Sequence, residues 1–218
     1  CKHLDWLPEG SKTGFLVFDF CIGGHSNIEY HRVLDLAKPQ PHRKDAQTRI
    51  FLNRVAVLDR GDLTPEQRTL IRDQVLACVG RLDKDIFMIR EVLPSIEAVE
   101  AHRDALEGYV RELEDDIAPL MVLQPGENPQ VTSFILLVER LYPYILDRRC
   151  DMISEVGAQV MDKVRNVLSR DNLSVIALNR ENLARCLQPE FWDDLTFDDV
   201  RFMVDIVAPL MRFFEPEE

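Results

Sequence analysis

From about residue 45 onward the pattern turns helical, with apolar residues recurring at three- and four-residue steps along most of the chain. That spacing places them on one face of an α-helix. Ile71, Val75, Cys78, Val79, Leu82 and Ile86 form the first stripe, and Thr64-Pro65-Glu66-Gln67 reads as the helix start before it. Threonine can cap, proline suits the first helical position, and Gln67 stands where a capping box returns its bond. Pro94 interrupts the run. Ser95 is the expected cap of the next helix, whose stripe is Val99, Leu106, Val110, Leu113 and Ile117. Its other face holds Glu107, Glu112, Glu114, Asp115 and Asp116, near an expected C-terminus where acids oppose the macrodipole.

Residues 124–130 (QPGENPQ) read as a loop. A helix apolar around much of its circumference is expected from Thr132 to Arg148, bent at Pro143. Residues 150–168 form another, with Ile153, Val156, Val160, Val164 and Val167 on one side. Asn179 is the expected cap of a short helix ending before Gln188-Pro189, and Thr196 that of the last helix. Val200, Val204, Val207 and Met211 give its stripe, with Met203, Leu210 and Phe214 flanking, and Pro209 is expected to kink or end it. No internal repeat of fixed period is read from this pattern.

The first 45 residues differ. Gly14-Phe15-Leu16-Val17-Phe18-Asp19-Phe20 is a dense apolar run of strand type. Gly23-Gly24-His25-Ser26-Asn27 breaks the chain, without the GK[ST] that a phosphate loop needs. Residues 35–45 (DLAKPQPHRKD) read as a linker, and the domain boundary is placed there. The expected fold class is therefore mainly α. A helical, bundle-like domain over residues 41–218 follows a short β segment, strand 14–20, within residues 1–40. A lone buried strand has nothing to pair with. Either Cys1 is a processed end, or the rest of the sheet lies upstream in a longer protein.

The composition is that of a globular chain: 218 residues, 46% hydrophobic. No run approaches the roughly 20 apolar residues that cross a bilayer. Five cysteines at 1, 21, 78, 150 and 186 show no CxxC and no zinc spacing. They read as reduced, mostly core residues of a cytoplasmic protein. The net charge of −12 is uneven: residues 1–60 hold 9 Lys+Arg and 7 Asp+Glu, the remainder 17 and 31. Nucleic-acid affinity comes from clustered cations, so the acidic part is a poor stand-alone DNA binder. Its charge suits a solvated surface or a basic protein partner.

Catalytic patterns are sparse. No HExxH, GxSxG or readable Ser/His/Asp arrangement occurs, and His25 and His31 lie six apart, off the spacing of a helical metal pair. Asp19 is the conspicuous acid. With His25 or His31 it would make a strand-end base or metal ligand in a free-standing enzyme; structurally it would cap a neighbouring loop or helix. Trp192, in Pro189-Glu190-Phe191-Trp192-Asp193, reads as a packing residue. A lipid-anchored reading takes Cys1 as the mature start of a lipoprotein, but Trp6-Leu7 and an apolar strand stand where a flexible tether would be expected. No catalytic, cofactor or metal residue is assigned.

Residues 12–21, KTGFLVFDFC, followed by Asn27, Glu29 and Tyr30, resemble the R (restriction) subunit of type I restriction-modification enzymes. In that family a strand of the type F-L-I-F-D-F/Y, then a glycine and N-F-E-Y-F, follows the last helicase motif of the second RecA-like motor domain. Cys1 would fall at the end of that motif. Residues 22–26 are longer than the usual insert, and His31 replaces the usual aromatic. Glu190-Phe191-Trp192, then Val200-Arg201, is similar to the family's C-terminal ending. The resemblance implies a C-terminal fragment: residues 1–40 a motor-domain remnant, residues 41–218 a non-catalytic helical region. It implies that ATP, Mg, DNA translocation and DNA cleavage belong to the N-terminal parts of the parent. It also implies docking onto the methyltransferase M and S subunits, with DNA met only through the complete complex.

Overall fold

The computed structural model describes residues 45–170 and 172–215. The chain divides after Arg43 into two compact parts, and the described residues belong to the second part. The expected strand 14–20, with Cys1, Cys21, Asp19, His25 and His31, lies outside them.

The described residues are helical throughout, with no strand among them. Asp45 caps α1 (Ala46–Leu58) by accepting the Thr48 amide at 2.7 Å. α2 (Pro65–Val79) opens on the expected capping box: Gln67 N–H donates to Thr64 Oγ1 at 3.3 Å, and Thr64 N–H to Gln67 Oε1 at 2.9 Å. α2 stops at Gly80, so Leu82 and Ile86 lie beyond it and only the start of the predicted stripe is one helix. The short α3 (Phe87–Glu91) leads into α4 (Leu93–Ala101). Ser95 is not its cap. Pro94 sits in the first turn, where its missing N–H costs nothing, and the Ser95 hydroxyl donates to Asp116 at 2.7 Å.

A 3-10 segment (Arg103–Tyr109), kinked at Ala105, separates α4 from α5. α5 is a π-helical segment (Glu112–Ile117) run into a 3-10 segment (Ala118–Leu123). The long helix expected from Ser95 is thus two. Glu112, Glu114 and Asp115 stand in the first turn of the second rather than at a C-terminus, and acids suit the dipole there.

The loop at 124–128 is as expected, but α6 (Pro129–Val138) starts earlier than predicted, capped by Asn128. The predicted bend at Pro143 is instead a break at Glu139-Arg140. α7 (Leu141–Leu146) follows, with Pro143 in its first turn, where the missing N–H is harmless. α8 (Cys150–Leu168) matches its predicted limits and buries Val156, Val160, Val164 and Val167. α9 (Ser174–Leu178), α10 (Arg180–Arg185) and α11 (Glu190–Asp193) are short. Asn179 precedes α10, but its amide donates back to the Val175 carbonyl instead of capping forward. α12 begins at the second capping box, Thr196 with Asp199. It runs as an α-turn (Phe197–Phe202), a π segment (Met203–Val207) and a 3-10 segment (Ala208–Phe213).

These elements form two copies of one unit, residues 45–124 and 128–215. Ala118-Pro119-Leu120-Met121 recurs as Ala208-Pro209-Leu210-Met211, each time following a π segment. The Ala118 N–H reaches back to the Leu113 carbonyl, and the Ala208 N–H to the Met203 carbonyl, five residues in each case. Proline explains both. It offers no N–H, and its ring would clash with a carbonyl one turn back, so the helix widens there and tightens afterwards. Several core positions correspond. Phe51, Val55 and Leu58 of α1 match Phe134, Val138 and Leu141; Ile71, Val75 and Val79 of α2 match Val156, Val160 and Val164. Ile89, Ile96 and Val99 match Ile176, Leu183 and Cys186, and all of these side chains are buried. Packing agrees: α1 lies on the 3-10 half of α5, α6 lies on that of α12, and α1 crosses α6 where the two units meet. The spacing between matching elements varies, so the two halves share no fixed period, and the likeness lies in the order of elements.

Trp192 is a packing residue, as expected. Its ring lies on Gly157 of α8, and its Nε1–H donates to the Cys186 carbonyl at 3.0 Å. A Cβ on Gly157 would stand 3.0 Å from two ring atoms. Gly157→Ala therefore displaces Trp192 and is expected to lower stability by about 1–3 kcal/mol despite the gain in helix propensity. A urea midpoint at or above that of the native chain would contradict this contact.

Candidate functional site

Two features of the helical region bring polar groups together. The first is buried at the seam of the two units. Arg54, on the inner face of α1, donates from Nε and Nη2 to Glu139 Oε1 at 2.8 and 2.5 Å. Its Nη1 reaches the Gln74 carbonyl at 3.3 Å and Cys78 Sγ at 3.1 Å. The Gln74 amide donates to the Tyr142 hydroxyl at 3.0 Å, and the Tyr142 ring packs on Phe197. Arg54 and Gln74 belong to the first unit; Glu139, Tyr142 and Phe197 to the second. Glu139 Oε2 is buried without a hydrogen-bond partner.

Burial disfavours charge on Arg54, but the adjacent Glu139 outweighs it and raises the guanidinium pKa, so Arg54 is always charged. Burial raises the Glu139 carboxyl pKa, against the pull of Arg54. It also pushes up the Tyr142 phenol and the Cys78 thiol. The arrangement is a sealed clamp: the Arg54 and Glu139 side chains are 9% and 1% exposed, so a substrate has no access. Its chemistry is that of a joint between units.

The second feature is open. A groove of about 650 Å³ lies between α2, α7 and the start of α12. Leu70, Ile145, Leu195 and Phe197 supply its apolar floor. Glu66, Asp73 and Asp198 stand around it, all exposed and none in an ion pair among the described residues. Arg201, the cation beside them, is bound to Asp205 on its own helix at 3.3 Å. The Thr64 and Thr196 capping boxes fix the two helix starts that carry Glu66 and Asp198.

The sequence marks both helix starts, at Thr64 and Thr196, but gives no signal that the two converge. That follows from tertiary packing of segments some 130 residues apart. His102, the one histidine described, ends α4 with its ring stacked on Tyr109. Of the three described cysteines, Cys78 and Cys186 are buried and Cys150 exposed, all as free thiols. Burial pushes the Cys186 thiol up to about 12. Among the described residues no three His, Cys, Asp or Glu side chains are grouped to hold a metal ion, and no helix is long and apolar enough to cross a membrane.

No family model, curated protein or solved structure matches the chain.

Proposed function

We propose that this chain is the C-terminal region of the R subunit of a type I restriction-modification enzyme, and that its helical part serves assembly with the M and S subunits of the methyltransferase. The observation that carries this reading is the stretch Lys12 to Tyr30, which resembles the end of the family's second motor domain, set directly before an all-helical region. The acidic balance after residue 60 and the sealed, inaccessible polar centre accord with a docking role. In this reading ATP and Mg act in the parent's motor domains, in a chain that cleaves unmodified DNA. Residues 1–40 are the remnant of the second RecA-like domain, and the setting is cytoplasmic. Titration calorimetry of chain 1–218 into the cognate methyltransferase core tests it. Saturable binding with a heat that weakens as salt rises is expected, since a charged interface is screened. Absence of heat and of co-elution would overturn the reading.

A further inference from the structure

The groove between α2, α7 and α12 lies at the seam of the two units, so it exists only when both are docked. Glu66 and Asp198 have a local reason for their positions, because acids favour the first turn of a helix. Asp73 does not. It lies two turns into α2, exposed, and is the third carboxylate, with Glu66 and Asp198, to line one groove. The nearby cation, Arg201, is taken up along its own helix. An apolar floor with an acid rim is complementary to one kind of chain segment: apolar side chains flanked by Lys or Arg.

We propose that this groove receives a basic, amphipathic peptide segment of a protein partner. Apolar side chains of the segment enter over Leu70, Ile145 and Phe197, and its Lys or Arg heads meet Glu66, Asp73 and Asp198. The inference rests on the docking reading above and names the chemistry of the docked element. Leu70 and Phe197 are only 8% and 4% exposed and Ile145 is half-buried, so the carboxylates carry most of the contact, set its register and reject acidic segments.

The test uses chain 1–218 and a fluorescein-labelled amphipathic Lys/Leu peptide, read by anisotropy. The triple variant Glu66→Gln, Asp73→Asn, Asp198→Asn is expected to weaken binding by about tenfold or more. A control triple elsewhere, Glu97→Gln, Glu114→Gln, Asp115→Asn, removes the same charge and is expected to change it by less than about twofold. Equal weakening by both triples would overturn the proposal, because overall acidity would then be the cause. So would equal binding of a peptide with Gln in place of Lys. The same triples are then carried into the methyltransferase titration. If the native chain binds the core and the groove triple binds it equally well, the groove proposal falls and the docking reading stands. If the native chain does not bind the core, the docking reading falls, and the peptide data decide the groove independently.

Discussion

Arg54→Ala is expected to lower the unfolding free energy by about 3–5 kcal/mol, the range found when one partner of a buried ion pair is removed. Truncation leaves the Glu139 carboxyl at the seam without its two bonds from Arg54, and Oε2 already has none. It also takes a donor from the Gln74 carbonyl and from Cys78. The loss carries a pH signature. Burial already raises the Glu139 pKa, and removing Arg54 raises it further. The native variant then holds a proton that the unfolded chain releases above its ordinary value of 4.5. Its stability therefore falls as pH rises through the window between 4.5 and the folded pKa. Urea unfolding at pH 4.5 and 7.5 measures both effects. The deficit of Arg54→Ala relative to the native chain is expected to be larger at the higher pH. The double variant Arg54→Met, Glu139→Leu replaces the pair by apolar groups of similar size and is expected to recover most of the loss. A single variant as stable as the native chain would mean that the ion pair does not join the units.

The second large effect is expected in pairs. Phe51→Ala and Phe134→Ala each empty a fully buried aromatic site, worth about 3–5 kcal/mol. The two residues hold the same place in the two units, each on the helix that packs against the π/3-10 element of its own half. Similar losses are expected, and both variants should still unfold in one transition, because α1 and α6 share the seam. Phe87→Ala, at a site 73% exposed, serves as the reference and should change stability little. A split into two transitions, with each variant shifting only one, would show that the units fold independently.

What the sequence disclosed was what local chemistry decides. The box at Thr64, the cap at Thr196 and the limits of α8 depend on residues a few positions apart, and they stand as read. Three features escaped the helical pattern. The helix through Glu112–Leu123 passes Pro119 by widening one turn, which an α-helical stripe does not anticipate. The apolar run after Thr132 is broken at Glu139, where the side chain turns inward to Arg54 instead of outward to water. The duplication was hidden because the second unit has extra residues between matching elements, so no fixed period exists. Its trace was the tetrad Ala-Pro-Leu-Met at 118 and 208. The groove had no sequence trace at all. Asp73 and Asp198 become neighbours of one cleft only through the docking of α12 beside α2.

The central proposal is that the helical region joins the chain to a methyltransferase core. It is tested most directly by sedimentation velocity of that core mixed with the complete parent R subunit, and with the same subunit ended at residue 44. The complete subunit is expected to sediment in a heavier complex, and the shortened one to run apart from the core while still hydrolysing ATP. Co-sedimentation of the shortened subunit at full occupancy would contradict the account, because assembly would then reside upstream of the two helical units.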